Sequence, residues 1–195
     1  MIQFDAIASR YGVILADPPW SYRDLGHSRR IDKQYAVMSL DEILRLSVAN
    51  IALPDSVLFL WTTAPLLPDG LDVMRAWGFK YKSNVVWDKE IFGMGHYARI
   101  QHEHLLIGTR GKPPPVADHS IPSVIRARRG KHSVKPVQAY ELIERLYPTL
   151  TKMELFARNS RAGWDCWGLE APQGDEDAYD LFARNPQTGA EASKD

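Results

Sequence analysis

The 195 residues suffice for one domain with a sizeable core, and 45% apolar against 25% charged side chains is the balance of an ordinary soluble globular chain. No apolar run approaches the roughly 20 residues that span a bilayer, and Met1–Asp5 lacks the basic and apolar stretches of a secretion signal. The lone cysteine, Cys166, excludes an internal disulfide and a cysteine-rich zinc site and fits a reducing cytoplasm, while the zero net charge hides seven acids against two bases between Glu170 and Asp195, which leaves +5 on residues 1–169. Residues 1–169 read as one domain and 170–195 as an acidic tail, partly disordered, with a short helix near Asp177–Arg184. A mildly basic body permits a polyanionic partner without demanding one.

In chain order, the apolar run from Gly12 to Ala16 predicts a buried strand. Asp17-Pro18-Pro19-Trp20 ends it, since neither proline can donate to a ladder. Ser21–Lys33 is polar, rich in arginine, and reads as a loop. Ser39-Leu40-Asp41-Glu42 is a capping box that opens a helix to about Val48. Pro54-Asp55 predicts a turn and Ser56–Thr62 a second buried strand. Pro65–Trp77 is helical, delayed by Pro68 and ended by Gly78. Strands follow at Lys80–Trp87 and Glu103–Thr109, separated by a loop from Asp88 to Gln101. Gly111–Pro122 is irregular, Ser123–Arg126 a short strand, Ala127–Val134 basic. Pro136 opens a helix to about Leu146, and Lys152–Ala157 is the last predicted strand. Strands alternating with helices predict an α/β fold, a mainly parallel sheet with helices on both faces.

The first strand delivers Asp17 to its carboxyl end, where open α/β sheets bind ligands. The Asp17 carboxylate and the Pro18 carbonyl, side by side, suit a donor with two hydrogens such as an exocyclic amine. Trp20 offers either a flat face for a base or a lid on the core. Lys135 precedes Pro136 and hence sits in extended backbone at a helix start, a place suited to a carboxylate; a solvated lysine is the plainer alternative. Arg158 directly follows a strand, as a ligand contact or as a rim ion pair. His102 and His104 share a strand face, but the sequence places no third ligand, so no metal is expected. Arg126, Arg128 and Arg129, with Lys131 and His132, form the one basic cluster: phosphate contacts or a solvated loop. Tyr22, Tyr35 and Tyr97 can stack against a base or line its pocket, beneath the two loops.

These stretches occur in an order that resembles the MT-A70-type adenine N6 methyltransferases, in their bacterial and phage branch, from about Tyr11 to Gly168. The matching stretches are Ala16–Trp20, Tyr35 with Met38-Ser39, Leu58–Trp61, Trp77-Gly78-Phe79, Val86–Lys89, and Glu103-His104 with Gly108. They continue through His132–Pro136, Ile143–Leu146, Glu154–Arg158 and Gly163-Trp164-Asp165. The resemblance implies a Rossmann-like class I fold with a permuted motif order, S-adenosylmethionine (AdoMet) as cofactor and no metal. It implies that Asp17 and the Pro18 carbonyl, within Asp17-Pro18-Pro19-Trp20, take the target amine. Asp17, Ser133, Lys135, Phe156, Arg158, Asn159 and Trp167 would serve the cofactor. Glu103, Lys89 and the tyrosines and arginines named above would serve the substrate. The match to a glycine-rich cofactor loop reads Ala157-Arg158-Asn159-Ser160-Arg161. The expected partner is nucleic acid, DNA before RNA, with the protein a monomer or a homodimer. A non-catalytic nucleic-acid-binding subunit and a methyltransferase for small amines are the alternatives.

Overall fold

The computed structural model describes residues 10–21, 37–95, 97–130 and 134–168. Tyr22, Tyr35, Ser133, most of the Ser21–Lys33 segment and the acidic tail lie outside the described residues. The elements are β1 (Tyr11–Ala16), α1 (Leu40–Leu44), β2 (Ala52–Thr63), α2 (Leu67–Ala76), β3 (Lys80–Asp88), β4 (His102–Arg110), β5 (Val124–Arg126), α3 (Val137–Leu146), β6 (Lys152–Leu155) and β7 (Asp165–Trp167). No described helix is long and apolar enough to cross a membrane.

One seven-stranded sheet runs in the order β5-β3-β4-β2-β1-β6-β7. β1 lies parallel to both neighbours, β2 and β6, and all six of its residues are buried. A strand covered on both faces needs no polar alternation, which is why Tyr11–Ala16 reads as a continuous apolar run. β5 is parallel to β3 and β7 to β6, whereas β4 is antiparallel to both β2 and β3. The sheet is thus mainly parallel with one reversed strand. The reversal follows from Lys89–Gln101, which holds no helix, so β3 and β4 close as a hairpin.

Helices cover both faces. α1 and α2 bring Ile43, Val73 and Met74 against Ile14, Leu58, Leu60 and Leu106. α3 brings Ala139, Leu142 and Ile143 against Val13, Leu15, Phe59 and Leu105. Trp61, Trp77 and Trp87 are each 1% exposed; burial of a ring that size stabilises by about 4–6 kcal/mol as an upper bound. Trp77 Nε1 donates to the Ile43 carbonyl at 2.9 Å and ties α2 to α1.

The expected boundaries shift in places. Pro54-Asp55 is no turn: β2 begins at Ala52, and its register to β1 slips between Tyr11↔Ala52 and Val13↔Val57. A bulge tolerates a proline that has no N–H to give. The capping box forms, with Ser39 N donating to Glu42 Oε2 at 2.7 Å and Glu42 N to Ser39 Oγ at 3.3 Å. Its helix nevertheless stops at Leu44 and resumes as a 3₁₀ turn, Val48–Asn50. α2 starts late, after a 3₁₀ turn at Ala64–Leu66, and Gly78 follows its end at φ +83°. β6 ends at Leu155 because Phe156 turns to φ +65°, and the short strand β7, which the sequence reading lacked, adds a parallel edge.

Candidate active site

Asp17, Lys135, Glu103 and Lys89 come from four separate stretches and meet at one edge of the sheet. β1 and β2 run parallel and end there. β4 runs the other way, so it begins there, with Glu103 opposite Thr63 and Trp87. Glu103 shares its sheet face with Leu105, the face that α3 covers. Lys135 stands just ahead of α3, where Pro136 is the N-cap with extended backbone, φ −68° and ψ 138°.

Lys135 Nζ lies 2.8 Å from Asp17 Oδ1 and 3.2 Å from Glu103 Oε2, and 5.4 Å from the centre of the Trp61 ring. Lys89 Nζ takes the other Glu103 oxygen, Oε1, at 3.1 Å. The four charges alternate in sign, and their side chains are only 12–22% exposed. Burial is the strongest influence on Asp17 and lifts its carboxyl above the ordinary range; Lys135 and Arg158 oppose the shift and Glu103 adds to it. Burial also acts to raise Glu103, but Lys135 and Lys89 together hold it below its ordinary value. Burial alone would favour neutral Lys135, and the two carboxylates outweigh it, so its pKa rises. Lys135 stays an ammonium.

The turn after β1 is fastened around Trp20. Its amide donates to the Pro18 carbonyl at 2.8 Å, and its indole Nε1 donates to the Trp61 carbonyl at 3.1 Å. The Pro18 oxygen therefore has one lone pair engaged and one left for a ligand. Trp20 itself is 9% exposed and packs into the α1–α2 side of the core. Of the two readings of Trp20, the inward lid on the core is the one the structure shows, and the indole N–H finds its acceptor inside.

Past β6, the left-handed Phe156 turns the chain into Ala157–Arg158–Asn159 at the same edge. Phe156 meets the buried Trp167 ring at 5.7 Å, edge to face. The loop is held by α3: Arg161 Nε and Nη2 grip the two Glu144 oxygens at 2.7 and 2.9 Å, Trp164 Nε1 reaches Glu144 Oε1 at 2.8 Å, and Arg161 stacks over Tyr140 at 5.1 Å. Cys166 Sγ lies 3.7 Å from the Asn159 carbonyl. Of the expected cofactor residues, Lys135, Phe156 and Arg158 thus gather around Asp17 or its edge, while Trp167 backs Phe156 from the core.

The sequence reading missed Glu154 and Tyr140. Glu154 is 7% exposed, lies beside Leu15 on the α3 face, and accepts from Tyr140 Oη at 2.8 Å. Burial, reinforced by Asp17 and only partly countered by the Tyr140 bond, raises its pKa. Burial and the same carboxylate raise the Tyr140 phenol. The available signal was an acid between Met153 and Leu155, at an inward strand position where acids are rare.

The remaining substrate residues are placed outside this cluster. Arg126, Arg128 and Arg129 are exposed along the end of β3, with Ala127 N on the Asp88 carbonyl at 3.2 Å and Arg129 N on the Lys89 carbonyl at 3.1 Å. Tyr97 is fully exposed on the β3–β4 loop rather than lining the buried cluster. His102 and His104 stack edge to face at 5.0 Å, and His104 Nδ1 is engaged by Asn84 at 3.1 Å. Among the described residues no group of three metal-ligating side chains converges.

The donor set fits AdoMet. A buried ammonium before a helix matches its carboxylate, acidic oxygens match its amine, polar Arg158–Asn159 match a ribose, and Phe156 matches a purine. The MT-A70 family model matches residues 11–170. The type II methyltransferase M.MunI of Mycoplasma sp is 36% identical over 84% of this chain and 78% of its own length. The Arabidopsis thaliana N(6)-adenosine-methyltransferase MT-A70-like protein is 32% identical over 81% of this chain and 23% of its own. The human N(6)-adenosine-methyltransferase catalytic subunit METTL3 is 30% identical over 82% and 28%. This α/β sheet, with Asp17-Pro18-Pro19-Trp20 at the end of its first strand, is that of an AdoMet-dependent methyltransferase, and the chain belongs to the MT-A70 family.

Proposed function

We propose that this protein methylates the N6 amine of adenine in DNA, with Asp17 and the Pro18 carbonyl as the acceptors that hold the amine. The observation that carries the reading is the pair itself. Asp17, whose carboxylate meets the Lys135 ammonium at 2.8 Å, and Pro18, whose carbonyl accepts from the Trp20 amide, are consecutive residues just past the end of β1. The choice of DNA rests on the bacterial type II methyltransferase, which the chain matches over 78% of that protein's length. The chain spans only about a quarter of the eukaryotic N(6)-adenosine methyltransferases.

An adenine amine is conjugated with its ring and is a poor nucleophile. Lys135 takes Asp17 Oδ1, and we assign the other oxygen to one N6 hydrogen and the Pro18 oxygen to the second. Bonds from two fixed acceptors draw the hydrogens out of the ring plane and return lone-pair density to nitrogen. The acceptors also face the positive charge that develops on nitrogen, in a site already organised to receive it. When bound, AdoMet supplies the electrophilic methyl group. Lys135 holds its carboxylate, Phe156 and Arg158–Asn159 its nucleoside, and Trp167 supports Phe156. Glu103, oriented by Lys89 and Lys135, faces the base. Arg126, Arg128 and Arg129 hold phosphates.

Labelled AdoMet with matched DNA and RNA of one adenine-containing sequence tests the reading. Label on DNA, lost in Asp17→Ala while cofactor binding persists, supports it. Full transfer by Asp17→Ala removes Asp17 from the mechanism, and preference for the RNA replaces DNA as the substrate.

A further inference from the structure

The three most exposed large apolar side chains among the described residues stand close together. Phe92 is 74% exposed, Met94 81% and Tyr97 102%. All three belong to the β3–β4 hairpin. Large apolar groups held in water mark a surface that meets something else.

Three features say what. The first is position. The hairpin projects beyond the sheet edge that carries Asp17, and its root joins the site directly, since Lys89 bonds Glu103 and Glu103 bonds Lys135. The second is construction. Lys89 N donates to the Gln101 carbonyl and Gly93 N to the Ile100 carbonyl, both at 2.8 Å. Asp88 Oδ1 accepts from Glu90 N at 3.0 Å and from Gln101 Nε2 at 2.8 Å. At Gly93 a Cβ would stand 2.8 Å from the Ile100 carbonyl oxygen, so the two limbs of the hairpin pass each other in contact. The described limbs are braced against each other, with Phe92 and Met94 exposed. The third is charge. Arg126, Arg128 and Arg129 run exposed beside the hairpin root, and Arg99 stands exposed on the hairpin itself. A braced apolar tip flanked by cations matches a stack of bases flanked by phosphates.

A paired adenine cannot reach Asp17 from within a duplex and has to leave the stack. We propose that the β3–β4 hairpin is the wedge for this step: Phe92 and Met94 enter the duplex beside the target adenine and hold open the space it leaves, while the arginines grip the flanking phosphates. The inference rests on the reading of the protein as a DNA adenine methyltransferase. No covalent step is involved; the wedge offsets the cost of unstacking and unpairing.

The experiment uses a duplex whose methylated adenine has been mapped with the wild-type protein. It is made in two forms, one with thymine opposite the target and one with an abasic site, where unpairing costs nothing. The double variant Phe92→Ser/Met94→Ser should lose at least about tenfold in methylation of the paired duplex, where the target must be both unpaired and unstacked. It should lose several-fold less on the abasic duplex, where only unstacking remains. Phe92→Leu should restore paired activity, because any apolar side chain of similar reach serves. A 2-aminopurine at the target should brighten with the wild type and not with the double variant. Equal losses on both duplexes, or no loss on either, overturn the wedge, as does a change in sedimentation of the variant, which would make the tip a contact between copies of the chain. Wild-type protein that methylates neither duplex overturns the underlying DNA reading instead.

Discussion

The two halves of the sheet handle charge in opposite ways. Around β1, β2 and β6 the strands are parallel and covered on both faces, and Asp17, Lys135, Glu103 and Lys89 are largely shielded from water, each against a neighbour of opposite sign. Around β3, β4 and β5 the chain doubles back, no described helix covers the far edge, and arginines stand exposed beside an exposed apolar tip. The first arrangement fixes dipoles in a site sheltered from water, where a fixed charge acts strongly on a reacting atom. The second leaves cations hydrated and free to meet a polyanion from outside, at a strength that salt tunes. Glu103 joins the halves: it lies on the reversed strand yet shares Lys135 with Asp17.

The contrast is broken most severely at Asp17. Asp17→Ala should lower methyl transfer by about a thousandfold or more, the upper scale for one electrostatic group in a preorganised site, read as initial rates with labelled AdoMet. Next is Lys135→Met, which leaves Asp17 and Glu103 buried without their shared cation. Loss of one partner of a buried charge pair costs about 3–5 kcal/mol. Urea unfolding should show that loss near pH 8 and a smaller one near pH 5. The sign follows because Asp17, already lifted by burial, would lose the cation that opposes the shift, so its protonation on acidification relieves the strain. Cofactor binding should fall in the same variant by calorimetry.

In the wild type, burial lifts Asp17 above the ordinary carboxylate range. In the proposed mechanism Asp17 accepts as the anion, so the acid limb of the kcat/KM profile should lie above the pH of a free aspartate; a limb at the ordinary value would assign it to another group. On the open half the effects are smaller and spread. Each alanine at Arg126, Arg128 or Arg129 should weaken DNA binding at any sequence and flatten the log–log salt slope by about 0.9, by fluorescence anisotropy across a salt series. The mildest change expected is Glu144→Gln, which loosens its hold on Arg161 and Trp164 and so on the loop proposed to meet the cofactor. A rise in KM for AdoMet at nearly constant kcat would show it, and Glu144→Asp should recover part of it.

Much of the first half was legible in advance because its signals are local. An apolar run, an acid and two prolines define a strand that stops at a carboxylate, and Lys135 before Pro136 defines a cation at a helix start. Trp20 was harder. Its indole is amphipathic, and only the Trp61 carbonyl, 41 residues away in sequence, decides that it points inward. Pro54-Asp55 carries turn residues, yet parallel pairing to β1 on both sides of them makes a bulge. β7 spans three residues and forms because β6 offers an edge.

By itself, then, the sequence determined the α/β alternation, the buried first strand with Asp17 at its end, the capping box, and the ordered set of motifs that marks the family. These depend on neighbours along the chain, through backbone chemistry and apolar periodicity. The tertiary structure alone decided that β4 is reversed, that Lys135 sits between Asp17 and Glu103, that Glu154 is buried under Tyr140, and that Phe92 and Met94 point into water. Those are contacts between distant segments, and their energies come from burial and charge pairing that no local window of the chain contains.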